Sequence, residues 1–317
     1  MFQTKVQIPA STLKIGYVDH VMALGSCFAE NIGKKMSDAY FLIDVNPFGV
    51  LYNPISIKNS LELLLQNKPF TIDDIFEYNS TWQSFSHSTL FSDSNAQVCL
   101  ENINSRLNVA RTFFNQSQIL IITFGTAWVF EDLNTGQVVS NCHKLPDRNF
   151  IRRRLTIQEI VDNYILILKK LFTNNPTLQI IFSISPIRHW KDGAHENNIS
   201  KSTLLLVVDE LQKDFEQVHY FPAYEIQMDE LRDYRFYASD MLHPSDVAVD
   251  YIWEKFCETY FSPETQQIKI RVQQLNADLA HRPLHPEAKE FLLFKKNVEN
   301  RKSKIISDFP FLSDRIK

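Results

Sequence analysis

Val21-Met22-Ala23-Leu24-Gly25-Ser26-Cys27-Phe28-Ala29-Glu30-Asn31 is an apolar run that stops at a glycine, passes two potential nucleophiles and turns at once into helix-forming sequence. A short apolar run bounded by glycine has the length of a buried strand, not of a helix. From Phe28 the apolar positions Phe28, Ile32, Met36 and Tyr40 recur every fourth residue, the stripe of an amphipathic helix. A strand running straight into a helix sets the turn residues at the tip of a sheet, beside the unpaired N–H groups of the helix N-terminus. Ser26 and Cys27 stand at that point.

Outward from this turn the same alternation continues. Tyr40–Val45 reads as a second buried strand, and Asn46 to Pro54 as a loop punctuated by Pro47, Gly49 and Pro54. Residues 55–66 read as helix, with a shorter helix behind Thr71 as its cap. Residues 78–98 are polar and serine-rich, an irregular excursion or short hairpin carrying Trp82, Phe85 and His87. Helix is expected over 101–116. Gln118–Phe124 is the clearest strand, apolar throughout and suited to the middle of a parallel sheet. Gly125-Thr126-Ala127-Trp128 closes it, and Asn134-Thr135-Gly136 marks a turn between short strands. A helix over 156–173 leads to a strand over 178–184, which runs into Ser185-Pro186-Ile187-Arg188-His189. Helix over 200–217, strand over 218–221 and a helix opening at Pro222 follow. Pro244–Tyr260 is expected as helix with Pro244 in its first turn and Val247, Tyr251, Ile252 and Phe256 on one face. Residues 1–17 form an extended leader.

Buried strands alternating with helices predict an α/β domain over residues 1–262, its parallel sheet covered on both faces. Residues 263–317 are charged and glutamine-rich; they predict a helical C-terminal extension, broken at Pro283 and Pro286, through which copies of the chain could associate. In a parallel sheet ligands bind beyond the carboxyl ends of the strands. The loops starting at Gly25, Asn46, Gly125, Ser185 and Pro222 should therefore share one rim.

Composition excludes several function classes. Of 317 residues, 44% are hydrophobic, which is ordinary for a globular protein and argues against disorder. The net charge of −4 argues against a nucleic-acid partner. Arg152-Arg153-Arg154 and the stretch Lys295 to Lys304 read as solvated helix faces. With only 7 glycines, and neither GxGxxG nor a Walker A pattern, no phosphate cradle and no cofactor are expected. No apolar stretch approaches the ~20 residues of a membrane span, and the N-terminal residues do not read as a secretory signal. Cys27, Cys99, Cys142 and Cys257 are scattered, without a CxxC pair, and read as free thiols of a cytoplasmic protein. His143, His189 and His195 fit no compact zinc spacing, so no metal is expected. Trp82, Trp128 and Trp190 are candidates for a sugar-stacking platform, against core or loop-anchoring roles for each singly.

The second stretch with chemical content is Asp240-Met241-Leu242-His243-Pro244, which enters the last helix of the α/β region. From there a histidine could reach the rim at the first strand. A catalytic histidine needs a carboxylate to fix its tautomer, and an aspartate three residues upstream can fold back over one turn to supply it. Read alone, the pair is first a local cap beside a surface histidine; its place before the last helix of the sheet favours the functional reading.

Gly25-Ser26-Cys27-Phe28-Ala29-Glu30-Asn31 resembles the name-giving motif of the GSCFA family, a branch of the SGNH (GDSL-like) hydrolases. Asn46-Pro47-Phe48-Gly49-Val50, Gly125-Thr126-Ala127-Trp128, Asn141-Cys142-His143-Lys144, Ser185 to His189 and Asp240 to Pro244 resemble the same family in order, over about residues 20–255. The resemblance implies a flavodoxin-like three-layer α/β/α sandwich (the SGNH hydrolase fold) and hydrolysis or transfer of an acyl ester, of a small molecule or a glycan. Fold kinship alone is a weak warrant for activity. In SGNH enzymes the nucleophile is the serine of Gly-Asp-Ser. A gap-free match sets Cys27 on that serine, and a shift of one residue sets Ser26 there. A thiolate beside a histidine at a helix N-terminus and a serine activated by His243 are both chemically admissible. Gly49 falls on the glycine whose N–H helps to hold the oxyanion. The asparagine of the family's third block is replaced in Gly125-Thr126-Ala127-Trp128, so Thr126, Asn141 or His143 would have to supply that donor. His143, Arg188 and His189 are candidates for holding an anionic or sugar group. A catalytically silent module binding a ligand on the same rim is the alternative.

Overall fold

The computed structural model describes residues 4–316 apart from positions 283 and 286. The expected helix breaks at Pro283 and Pro286, like residues 1–3 of the leader, lie outside the described residues.

In chain order, β1 (His20–Gly25) leads into α1 (Cys27–Asp38), and β2 (Leu42–Val45) is followed by α2 (Pro54–Leu65). A hairpin of β3 (Phe76–Tyr78) and β4 (Thr81–Gln83) precedes α3 (Ala96–Phe114) and β5 (Ile119–Phe124). A small antiparallel sheet of β6 (Trp128–Asp132), β7 (Val138–Val139) and β8 (Phe150–Arg154) interrupts the alternation. It resumes with α4 (Ile157–Asn174), β9 (Gln179–Ile184), α5 (Gly193–Asp214) and β10 (Val218–Phe221). The short α6 (Ala223–Glu225), continued by a π-helical turn Ile226–Glu230, leads to α7 (Asp246–Tyr260), α8 (Pro263–Leu279) and α9 (Lys289–Asp308).

The main sheet is parallel throughout, ordered β10-β9-β5-β1-β2. Counting only its own strands, this is the order 2-1-3-4-5 of flavodoxin-like folds. Alternate residues of each central strand feed opposite cores. Met22, Leu24, Leu120, Ile122 and Phe182 join α2, α3, α4 and α5 in one cluster. Val21, Ala23, Ile119, Ile121 and Ile181 join α1, α7, α8 and α9 in the other. The architecture is therefore the expected α/β/α sandwich. Val272, Leu275, Val298 and Ile305 of α8 and α9 lie in the same core as Phe28 and Ile32 of α1.

Several local expectations are corrected. Residues 40–41 are not strand: Tyr40 takes a left-handed φ of 62°, and β2 is half-buried because it is the sheet's edge. The turn behind Thr71 is a single 3-10 turn closed by a capping box with Asp74. α3 begins at Ala96, where Asn95 accepts the N–H groups of Gln97 and Val98, and α5 begins at Gly193. Pro244 lies outside α7, whose cap is Ser245, and Val247 is exposed; the buried face is Ala248, Ile252, Trp253 and Phe256. The largest miss is Arg152-Arg153-Arg154, which is strand β8 paired with β6, not a helix face.

Candidate active site

The turn after β1 is built on Gly25. Its φ is 140°, and a Cβ there would lie 2.2 Å from the Thr123 carbonyl oxygen of the neighbouring strand, so only glycine fits. The Gly25 N–H donates to Asn46 Oδ1 at 2.8 Å and its carbonyl accepts the Leu51 N–H at 2.9 Å, which ties the loop after β2 onto the tip of β1. Ser26 caps α1. It is 1% exposed, and its Oγ accepts the Phe28 N–H at 3.3 Å. Cys27 is the first helical residue, half-buried, with Sγ 3.6 Å from the Tyr52 hydroxyl. The Cys27 N–H has no acceptor among the described residues, as expected in the first turn of a helix.

Asp240 and His243 close on each other over one turn. Asp240 Oδ1 accepts the N–H groups of Leu242 and His243 at 2.9 Å each, and Oδ2 meets His243 Nδ1 at 2.5 Å. Met241 takes a left-handed φ of 60° to allow this. The N–H groups of His243 and Leu242, then the ring contact, hold the Asp240 carboxyl down at about 2. An ionised Asp240 requires the His243 proton on Nδ1, which leaves Nε2 as an acceptor.

Ser26, Cys27, Tyr52, Thr126, His189 and His243 all line one cavity of about 690 Å³, the size of an ordinary small-molecule site. The loops after β1, β2, β5 and β9 thus meet at one rim, as strand direction requires, and the α7 entry loop joins them, whereas the segment starting at Pro222, expected there too, does not line this cavity.

The sequence model of the GSCFA family matches residues 20–256. The chain belongs to the GSCFA family. A search of the curated proteins finds no match to it. Among solved structures, a carbohydrate esterase family 3 protein from Talaromyces cellulolyticus aligns at 12% identity and a TM-score of 0.35, over 82% of this chain and 99% of its own. A family two carbohydrate esterase from Clostridium thermocellum in complex with cellohexaose aligns at 11% identity and 0.39, over 82% and 66%. An acetyl xylan esterase from Butyrivibrio proteoclasticus aligns at 12% and 0.38, over 76% and 63%.

In this GSCFA protein the other sequence candidates fall into two groups. His189 and Arg188 line the cavity. Burial, then the charge of Lys201, lowers His189 to about 4, so it is a neutral imidazole, set edge-on to Tyr52 with ring centroids 5.7 Å apart. Arg188 lies over the Trp190 ring at 4.9 Å. Asn141 also lines the cavity, but its Oδ1 accepts the His143 N–H at 2.9 Å. His143 does not line it: the ring is buried and its Nε2 meets the Ser84 carbonyl at 2.7 Å, so it anchors the β7–β8 connection. Gly49 is corrected too. Its N–H donates to Asn46 O at 2.8 Å, closing a turn, and is not available to an oxyanion. The Thr126 hydroxyl accepts the Trp128 N–H at 3.1 Å and pairs with Ser200 Oγ at 3.1 Å, which is the turn-satisfying role of such a residue. Trp128 and Trp190 line the cavity; Trp82 packs instead on Ile75, Cys99 and Ile103. Among the described residues no group of three or more His, Cys, Asp or Glu could hold a metal ion, and no helix is long and apolar enough to cross a membrane.

Four site residues were not singled out from sequence. Tyr52 touches Cys27, and burial raises its hydroxyl, which stays protonated. Val50 lines the cavity, and its N–H has no acceptor among the described residues, in contrast to that of Gly49 beside it. Arg152 lines the cavity with its guanidinium 4.5 Å over Trp128, ion-paired to Asp192. Lys201, 1% exposed, donates to the carbonyls of Gly125 and Ser185 at 2.7 Å each and so pins the ends of β5 and β9. Val50 ends the family block over residues 46–50 and Tyr52 follows it by two residues, so both stood beside a usable signal; Arg152 and Lys201 depend on how β8 and α5 fold back over the rim.

Proposed function

We propose that this GSCFA protein is an acyl-ester hydrolase or acyltransferase, with Cys27 as nucleophile, His243 as general base and then acid, and Asp240 orienting the histidine. The observation that carries the reading is a half-buried thiol at a helix N-terminus on the same cavity as an aspartate-held histidine. Ser26 is the weaker candidate, because its hydroxyl is spent on capping α1. In the proposed reaction His243 Nε2 takes the thiol proton as sulfur attacks the acyl carbon. The oxyanion faces the N–H groups of Cys27 and Val50, with the Tyr52 hydroxyl beside the sulfur. The C–O bond breaks, the alcohol leaves with the proton from His243, and an acyl-thioester remains. Water, deprotonated by His243, then attacks that carbonyl; the C–S bond breaks, the Cys27 sulfur takes the proton back from His243 and the carboxylic acid is freed, while a second alcohol in place of water would give transfer. The thiol needs a reducing surrounding, in keeping with a cytoplasmic location.

The test is hydrolysis of p-nitrophenyl acetate by wild type and His243→Ala. Loss of about 10²–10⁴-fold in kcat/KM is expected when a general base is removed; equal rates in the two proteins would rule the mechanism out. One observation favours the alternative of a silent ligand-binding module: the amides of Gly49, Gly125 and Thr126 are all spent on protein acceptors. That reading expects no ester turnover by wild type.

A further inference from the structure

The cavity is lined by more cations than carboxylates. Lys144, Arg152, Arg188 and Lys191 line it, against two carboxylates, Asp147 and Asp192. Asp192 is already committed to Arg152. Lys144, Arg188 and Lys191 make no ion pair among the described residues. Arg152 Nε, Arg188 Nε and Trp128 Nε1 are buried without a hydrogen-bond partner. Arginine, lysine and indole N–H groups donate and do not accept, so a partner for these groups must bring acceptors. Aromatic faces stand among them: Trp128 under Arg152, Trp190 under Arg188 and Phe130 near Lys191.

The Arg188–Trp190 stack is also shared. The same two residues line a second groove of about 640 Å³ together with Tyr234, Tyr237, Arg232 and Asp240. The catalytic pair thus stands between two clefts, His243 on one and Asp240 on the other. Flat aromatic rings suit the faces of sugar units, and cations between them suit charge on those units.

We propose that the ester is carried on an anionic sugar oligomer, lying across the Arg188–Trp190 stack with a carboxylate or phosphate against Arg188 and Lys191. The reading rests on the proposed esterase function, and it is tested by binding so that the two can fail separately. Wild-type protein is titrated with a galacturonic acid tetramer, with glucose 6-phosphate and with the neutral xylotetraose, followed by calorimetry and by fluorescence of Trp128 and Trp190. The acidic tetramer should bind about tenfold or more tighter than the neutral one. The preference should fall when ionic strength rises from about 0.02 M to about 0.5 M. It should vanish in the double variant Arg188→Gln, Lys191→Gln. Stronger binding of the sugar phosphate than of the uronate would assign the anion as phosphate; the converse assigns carboxylate. Equal affinity for acidic and neutral probes, no binding of any probe, or a preference unchanged in the double variant would overturn the proposal. Turnover of p-nitrophenyl acetate with no anion preference would leave the esterase standing without it; anion preference without turnover would do the reverse.

Discussion

Replacing Lys201 with methionine tests how the rim is held together. The side chain is fully enclosed, and its two hydrogen bonds, 2.7 Å each, go to the carbonyls of Gly125 and Ser185. Methionine fills similar space but donates nothing, which strands two buried acceptors. Each costs about 1–3 kcal/mol, so the variant should be about 2–6 kcal/mol less stable where the amine is neutral. Burial, then the charge of Arg188, brings Lys201 from its ordinary 10.5 down to about 7. The folded-state value is depressed, so the contribution to stability is present above 10.5 and is lost as pH falls through 7. Between pH 9 and pH 7 the unfolded chain keeps its proton on this lysine while the folded protein takes up about half of one. Wild type should therefore lose about 2 kcal/mol from this group over that interval. The methionine variant has no such loss, so the gap between the proteins should narrow by that amount as pH falls. Urea unfolding of both at pH 9 and pH 7 reads this directly. A gap below about 1 kcal/mol at pH 9, or one that does not change with pH, would refute the positioning role.

Gly25→Ala puts a methyl group 2.2 Å from the Thr123 carbonyl at a φ only glycine adopts, and should cost about 2–6 kcal/mol in the same assay. A shift under about 1 kcal/mol would show that the turn can relax. Acid should also destabilise the fold. Burial holds His87 at about 3 and His189 at about 4, both below the ordinary 6.5, so their contributions are lost as pH falls below 6.5. Each should contribute about 2 kcal/mol of loss between pH 7 and pH 5, and His189→Gln should remove about half of the combined effect; an identical pH slope in that variant would contradict it.

The fold was legible because its signals are local. The apolar strands at β1, β5 and β9 and the stripe of α1 need no tertiary knowledge, and their alternation predicts the parallel sheet. The Asp240–His243 contact was legible for the same reason, as both partners sit in one turn. What failed was non-local. Arg152, Arg153 and Arg154 look like a charged helix face until β8 is seen paired to β6, where their charges meet Asp192, Glu131, Glu159 and Glu196. Gly49 carries the family glycine, but whether its N–H is free depends on Asn46 closing a turn on it. His143 looks like a site histidine in sequence and is buried against Ser84 because the β7–β8 connection folds inward.

The central claim is that Cys27, and not Ser26, carries the acyl group. Acid quenching of the protein during turnover of p-nitrophenyl acetate, followed by peptide mapping in a mass spectrometer, tests it most directly. The account predicts one acetyl group on the Cys27 thiol in wild type, absent in Cys27→Ala and retained in Ser26→Ala. An acetyl group on Ser26, or undiminished turnover by Cys27→Ala, would contradict it.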